Sequence, residues 1–502
     1  MGSETTFPDH PRRSGDARGA NSSPTPAAVP GTSSLAPTAV VGELIARARA
    51  AQAIADRWTQ EQADEAAVAA GWAIVEPARN RALAELAVRD TGLGNVADKI
   101  AKNRRKTMGL LRDLAGARTV GVIGEDEARG LVEIARPVGV VAAITPSTNP
   151  AATPANNIVN ALKGRNAIVL APSPKGQSTL TLLLQYVHAE LDRIGAPRDL
   201  VMQLPSPVTR ENTFELMREA DLVVATGSAR NVRGAYESGT PAIGVGVGNV
   251  AVIVDETADA AAAAAKIARS KTFDNATSCS SENSVIAVDA IADRLLAALA
   301  REGGVLLDGE ETAALAHAMF DDGKLSPDVV AQDAPTIAKL AGLVRPEMAS
   351  ARFLIVDESG VGRGHPFSGE KLSPVLAFYR APDFAAATAR ATELLHFQGA
   401  GHSLGLHTRN AERARELGLT LPVCRVIVNQ AHCFATGGSF DNALPFSLSM
   451  GCGTWGGNSI SDNLNYRHFL NITRVVHPLA PARVREPTDE ELFGAYRARH
   501  GV

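Results

Sequence analysis

Net charge is nearly absent from this 502-residue chain: 50 Lys and Arg face 54 Asp and Glu, leaving −4 at pH 7. Nucleic-acid binders carry a basic footprint, and proteins held on an anionic membrane carry a basic cluster. Neither partner is expected here. Long apolar runs are missing too, and none reaches the roughly 18 residues of a membrane-spanning helix. Cysteine is scarce. Cys279, Cys424, Cys433 and Cys452 form no C-x-x-C pair and no zinc-ligand spacing, so no metal centre is expected. A reducing cytoplasm suits such unpaired thiols. Aromatic residues are only 4% of the chain, and plentiful Ala and Gly point to an α/β protein packed with small side chains.

The length exceeds what one core supports and implies two or three domains. Residues 1–39 are rich in Pro, Ser, Gly and Ala and cannot bury a helix or strand face, so a disordered tail is expected there. Arg12 and Arg13 precede no apolar run, which argues against a secretory signal. From Val40 to Ala115, Ala, Glu, Arg and Leu recur at helical spacing, with a break at Thr91-Gly92-Leu93-Gly94. Short β-like runs flank Gly124-Glu125-Asp126-Glu127 and predict a hairpin. Two alternations of apolar strands and helices follow, the first from Val138 to Ala225 and the second from Val250 onward. Such alternation argues parallel sheets covered on both faces. Phe469–Val476 reads as a late strand, and Thr488 with Glu491 as the cap of a short helix.

Cys279 lies among hydroxyls and amides, in Thr277-Ser278-Cys279-Ser280-Ser281-Glu282-Asn283, and apolar character resumes only at Val285. A packing cysteine has aliphatic neighbours, so the pattern predicts a polar loop before a strand at Val285–Val288. Reactive side chains favour such loops. Gly244-Val245-Gly246-Val247-Gly248 imitates a dinucleotide fingerprint, but a strand follows it where a helix is required. The alternative is a close backbone approach beneath another group, which glycine permits. Thr145-Pro146-Ser147-Thr148-Asn149-Pro150 follows a strand, where open sheets place ligands. Asn149 there reads either as an amide donor to an oxyanion or as the closure of an Asx-turn.

The strings TPSTNP, TFDNATSCSSENS, SGEKLSPV, GAGHSLGLHT and GCGTWGGNSIS occur in one order over residues 40 to 480. In this the chain resembles the CoA-acylating branch of the aldehyde dehydrogenase superfamily. The resemblance implies two Rossmann-like parallel α/β domains plus a small β oligomerisation element. It places a dinucleotide-binding domain at 40–118 and 137–242, a thiolate domain at 243–457, oligomerisation strands at 119–136 and 458–480, and a C-terminal tail at 481–502. It further implies that Cys279 attacks an aldehyde as thiolate, that Asn149 and the Cys279 backbone N–H hold the oxyanion, and that His402 assists CoA or the thiol. His402 reads equally as a hydrogen-bonded turn residue. The same resemblance gives Glu370 to the nicotinamide ribose and Thr226, Gly227 and Ser228 to the pyrophosphate. Thr145, Ser173 and Lys175 complete the cofactor set.

Two departures from hydrolytic aldehyde dehydrogenases are informative. Those enzymes carry a glutamate that activates water, and at the matching place this chain has Ile243-Gly244-Val245-Gly246-Val247-Gly248 with no acid. General-base help is worth ~10² to 10⁴-fold, so a thioester here is expected to await a thiol, which ionises in part near neutral pH. Ala171-Pro172-Ser173-Pro174-Lys175 also lacks the acid that excludes a 2′-phosphate, so NADP or NAD is expected, with coenzyme A as co-substrate. Gly239-Thr240-Pro241-Ala242-Ile243 and Asn429-Gln430-Ala431-His432 resemble the sulfoacetaldehyde-specific members of the branch. A sulfonated aldehyde is therefore expected, with acetaldehyde or another short aldehyde, or a free-acid product, as alternatives. His432, Asn429, Ser439 and Arg233 are polar candidates for holding its tail. The resemblance also implies a homodimer or homotetramer.

Overall fold

A computed structural model of the chain describes residues 36–502. The tail expected at 1–39 lies outside these residues except at its end, where α1 (Pro37–Ala55) has already begun. Three further helices follow: α2 (Gln60–Val75), α3 (Pro77–Thr91) and α4 (Val96–Leu114). The break foreseen after Thr91 is real. Gly92 ends α3 in a left-handed conformation, φ 70°, and Asn95 caps α4.

β1 (Gly121–Asp126) and β2 (Leu131–Pro137) form an antiparallel hairpin. The first parallel sheet then builds from β3 (Val140–Thr145), β4 (Ala167–Pro172), β5 (Val201–Gln203), β6 (Leu222–Thr226) and β7 (Ala242–Val245), in the order β5-β4-β3-β6-β7. Its connecting helices are α5 (Ala152–Lys163), α6 (Gln177–Arg193), α7 (Arg210–Glu219) and α8 (Ala229–Glu237). Every residue of β3, β4 and β6 is buried, which is why these strands read as unbroken apolar runs. The chain reverses direction across the sheet between β3 and β6, and the crevice at such a switch point is where open α/β sheets take ligands.

The second sheet has seven parallel strands: β8 (Val250–Val254), β9 (Glu282–Val288), β10 (Gly304–Leu306), β13 (Phe353–Asp357), β14 (Val375–Ala381), β15 (Leu404–His407) and β16 (Val426–Val428). They run in the order β10-β13-β14-β9-β8-β15-β16, beside a two-stranded hairpin of β11 (Phe320–Asp321) and β12 (Lys324–Leu325). α9 (Ala260–Thr272) leads from β8 toward Cys279. Since β7 pairs with β6, the passage between the sheets falls in residues 246–249, a few residues beyond the expected boundary at 243. β17 (Leu470–Val476) pairs antiparallel with β2, completing a small sheet of order β1-β2-β17. Thr488 and Glu491 form the foreseen capping box of helix Asp489–His500. Among the described residues no helix is long and apolar enough to cross a membrane.

Candidate active site

The strand after Cys279 starts three residues earlier than the apolar pattern indicated, at Glu282 and not Val285, and every residue of it is buried. The polar run is therefore interior, not a solvated loop. Buried polar groups persist there because they find fixed partners. Glu282 accepts from the His432 backbone N–H (3.2 Å), and Asn283 accepts from that of Lys371 (3.0 Å).

Just before Cys279 the backbone is strained. Asp274, Asn275 and Ala276 hold φ of 50°, 51° and 58° in succession. Such left-handed conformations cost non-glycine residues of order 1–3 kcal/mol each and persist where surrounding bonds over-determine them. All but one of those bonds come from the start of α4, the other from Thr277. The Asp274 carboxylate accepts from Lys99 Nζ (3.1 Å), Lys102 Nζ (2.5 Å), Thr277 Oγ1 (2.8 Å) and the Asn95 backbone N–H (3.0 Å), while its own N–H donates to Asp98 (2.7 Å). Burial pushes this carboxyl upward, but the two ammonium groups outweigh it and hold the group below its ordinary range.

Lys102 Nζ also donates to Thr277 Oγ1 (2.9 Å) and to Asn149 Oδ1 (2.9 Å). The second bond decides the amide's orientation: with Oδ1 committed to Lys102, the Nδ2 donor is turned to other acceptors. Asn149 lines the same cavity as Cys279, so an amide donor and a thiol share one chamber. No Asx-turn bond from Asn149 forms among the described residues.

Cys279 is half-buried, and its Sγ lies 3.4 Å from His402 Nε2. His402 Nδ1 pairs with Ser403 Oγ at 2.7 Å. Burial lowers the imidazole to a pKa of about 3, with help from Arg425, whose guanidinium donates to the His402 carbonyl at 3.1 Å. His402 is thus neutral, and a proton on Nδ1 donated to Ser403 leaves Nε2 as an acceptor beside the thiol. Burial, followed by the nearby Glu370 carboxylate, pushes the Cys279 thiol well above its ordinary value. The expected resting thiolate is therefore a protonated thiol next to a vacant acceptor nitrogen. His402 stands behind the thiol, outside the cavity wall. Gly248 runs directly beneath Cys279: a Cβ there would come within 2.1 Å of the Cys279 carbonyl oxygen, the close approach that the glycine run implied.

The cavity, about 670 Å³, opens along the carboxyl ends of β3, β4, β6 and β7 and reaches Cys279. Thr145, Ser173, Thr226, Gly227, Ser228 and Glu370 all line it. Gly227 (φ 144°) makes the turn from β6 into α8, and Ser228 caps that helix by accepting from the Asn231 N–H at 3.3 Å. A strand, a glycine turn and a helix N-terminus form a ready anion site. Glu370 is the cavity's one acidic lining residue among those described, against Lys102, Arg105, Lys106, Arg210 and Arg230. Burial raises Glu370 to about 8, which suits a group that meets sugar hydroxyls more than one that needs full charge. This donor set fits an anionic dinucleotide.

Lys175 is the exception. The turn at Pro174–Gly176 carries it out of the cavity, and it is exposed over a shallow depression with Asp90, Gln177 and Ser178. The candidate tail-binding residues also miss. His432 is buried behind the Cys279 loop with Nδ1 on the Ser280 carbonyl (2.9 Å), Asn429 bonds Thr408, Ser439 accepts from Arg105, and Arg233 is exposed. Unforeseen were the cations of α4. Lys102, Arg105 and Lys106 stand on one helical face at i, i+3 and i+4, a spacing visible in Lys102-Asn103-Arg104-Arg105-Lys106.

Two doubly wound sheets, with a thiol and an oriented amide at the end of a dinucleotide-sized cleft, define the cysteine-dependent two-domain dehydrogenases. The family model described as "Aldehyde dehydrogenase family" matches residues 13–308. An acylating sulfoacetaldehyde dehydrogenase of Cupriavidus necator is 62% identical over 92% of this chain and 93% of that protein. One from Bilophila wadsworthia is 44% identical over 92% of this chain and 99% of its own. Among solved structures, an acetylating aldehyde dehydrogenase from Geobacillus thermoglucosidasius superposes with a TM-score of 0.85 at 36% identity, covering 90% of this chain and 99% of that one. The chain belongs to the aldehyde dehydrogenase family.

Proposed function

We propose that the protein oxidises a short aldehyde to its CoA thioester with NAD or NADP as hydride acceptor, and that the aldehyde is sulfoacetaldehyde, giving sulfoacetyl-CoA. The substrate reading is supported by the relative at 62% identity, whose name states this activity. The observation that carries the chemistry is the 3.4 Å contact between Cys279 Sγ and His402 Nε2 at a cavity that also holds Asn149.

Cys279 sulfur adds to the carbonyl carbon as its proton passes to His402 Nε2, so that no stable buried thiolate has to form. The tetrahedral oxyanion takes hydrogen bonds from Asn149 Nδ2 and the Cys279 backbone N–H. A nicotinamide cofactor, when bound, supplies the acceptor for hydride; Thr226, Gly227 and Ser228 hold its pyrophosphate and Glu370 its ribose. Cys279 is left as a thioester. The wall beside it at Val245, Gly246 and Val247 offers no carboxylate to activate water, so the acyl group waits for the CoA thiolate. As that sulfur bonds to the acyl carbon, the Cys279 sulfur leaves and takes up a proton from solvent, which returns the thiol to its place beside neutral His402.

The chain is further proposed to work in the cytoplasm, in keeping with its four free cysteines, and as a homodimer or homotetramer joined through the β1-β2-β17 sheet, whose outer strands have unpaired edges among the described residues. The test is NAD(P)H formation with a panel of short aldehydes, with and without CoA. Turnover that depends on CoA and is fastest with sulfoacetaldehyde is expected. Free acid formed equally fast without CoA contradicts the acylating reading.

A further inference from the structure

We propose that Arg105 and Lys106 form the pocket for the substrate's anionic tail, and that they set a preference for a sulfonated aldehyde over a neutral one of similar size. This deepens the functional reading above and rests on it.

Of the three cations that α4 presents to the cavity, Lys102 pairs with Asp274 at 2.5 Å, a carboxylate it shares with Lys99. Arg105 and Lys106 have no acidic partner within ion-pair distance among the described residues, although Lys106 is only 8% exposed. A buried cation without an ion-pair partner is costly to keep, and burial lowers the Lys106 ammonium to about 7. An anion arriving with a ligand would restore its full charge, while among carboxylates the partly buried Arg105 feels only the more distant Asp441. Both groups also retain unused donors. Lys106 Nζ donates to the carbonyls of Gly437 (2.6 Å) and Ser447 (3.1 Å), leaving one N–H free. Arg105 engages only Nη2, with the Phe434 carbonyl (2.9 Å), the Gly438 carbonyl (3.4 Å) and Ser439 Oγ (3.0 Å). Its Nη1 and Nε remain uncommitted among the described residues. The rings of Phe434 and Phe446, at 5.1 Å and 5.4 Å, hold the guanidinium in place.

Position agrees with chemistry. The sulfur of sulfoacetaldehyde is attached to the carbon next to the carbonyl, so its site must adjoin Cys279. Arg105 and Lys106 share the cavity wall with Thr277, Ser278 and Cys279. Arg210 and Arg230 line the cavity separately, from the side of Thr209 and Ser228. A sulfonate offers three oxygens to the Arg105 fork and the free Lys106 N–H, the charge-assisted geometry at which arginine excels.

The experiment compares kcat/KM for sulfoacetaldehyde and acetaldehyde, each with saturating cofactor and CoA, in the wild type and in Arg105→Gln, Arg105→Lys and Lys106→Met. The sulfoacetaldehyde-to-acetaldehyde ratio should fall at least tenfold in Arg105→Gln and Lys106→Met, and less in Arg105→Lys. Should these two residues merely brace the 433–447 segment, both substrates would suffer alike; a ratio within twofold of wild type overturns the proposal. A wild-type measurement covers variants that fail to fold. Ethanesulfonate should inhibit acetaldehyde oxidation at least tenfold more tightly than the uncharged ethyl methyl sulfone, and equal inhibition overturns the proposal. A wild type that forms acetyl-CoA but never turns over sulfoacetaldehyde defeats the functional reading itself, before any variant is made.

Discussion

At the scale of single residues, the site is a thiol kept neutral by burial beside an imidazole kept neutral by burial. Neither is reactive alone, and the 3.4 Å between them is what makes proton transfer part of attack. Because the thiol's proton passes to His402 as the sulfur attacks, alkylation of Cys279 by iodoacetamide at pH 7, followed by peptide mass analysis, should slow at least tenfold in His402→Gln. An unchanged rate in that variant would show that the imidazole takes no proton. Much of this site is legible in the sequence. Cys279 stands out by its polar neighbours, and Asn149, Glu370 and Gly227 stand in motifs. The contact between Cys279 and His402 is not legible, because 123 residues separate them and only the pairing of the second sheet brings them together. Lys175 lies outside the cavity for a local reason: proline at 174 starts a turn that carries the next side chain outward.

At the scale of elements, α4 does more than its helical composition suggests. Its buried face carries Lys99, Lys102 and Lys106, where a core helix would carry aliphatic residues. Through Asp274 it holds three successive left-handed residues, and through Asn149 it aims the amide. Removing Lys102 should therefore loosen both. In Lys102→Met, kcat is expected to fall about tenfold or more, less than the ~10² to 10³ lost with an oxyanion donor itself, while cofactor affinity by fluorescence titration stays within threefold. Unchanged kcat would show that α4 does not position the amide. The spacing of these lysines was open to view in the sequence, yet cations at helical period ordinarily mark a solvated face. Which face of α4 is covered depends on the rest of the fold. The strand at Glu282 escapes sequence reading for the same reason, since buried hydroxyls and amides look like a loop until their tertiary partners are known.

At the scale of the whole molecule, two parallel sheets were readable because their strands are buried on both faces and their helices lie between them. The order of the seven-stranded sheet was not, since strands from residues 250 to 428 interleave and nothing local records which neighbours which. The small sheet of β1, β2 and β17 stands apart, with Val476 69% exposed on its last strand. An edge of this kind pairs or aggregates unless it is covered. Light scattering on the purified protein should give at least twice the chain's 52.4 kDa, and a strictly monomeric mass would remove this sheet's assigned purpose.

The central claim is that the acyl group passes through Cys279 and persists until a thiol collects it. Intact-mass spectrometry, after mixing enzyme with oxidised cofactor and sulfoacetaldehyde but no CoA, tests it most directly. One sulfoacetyl group per chain should appear, located on Cys279 and discharged when CoA is added. Cofactor reduced in full while the protein mass stays unaltered would contradict the account.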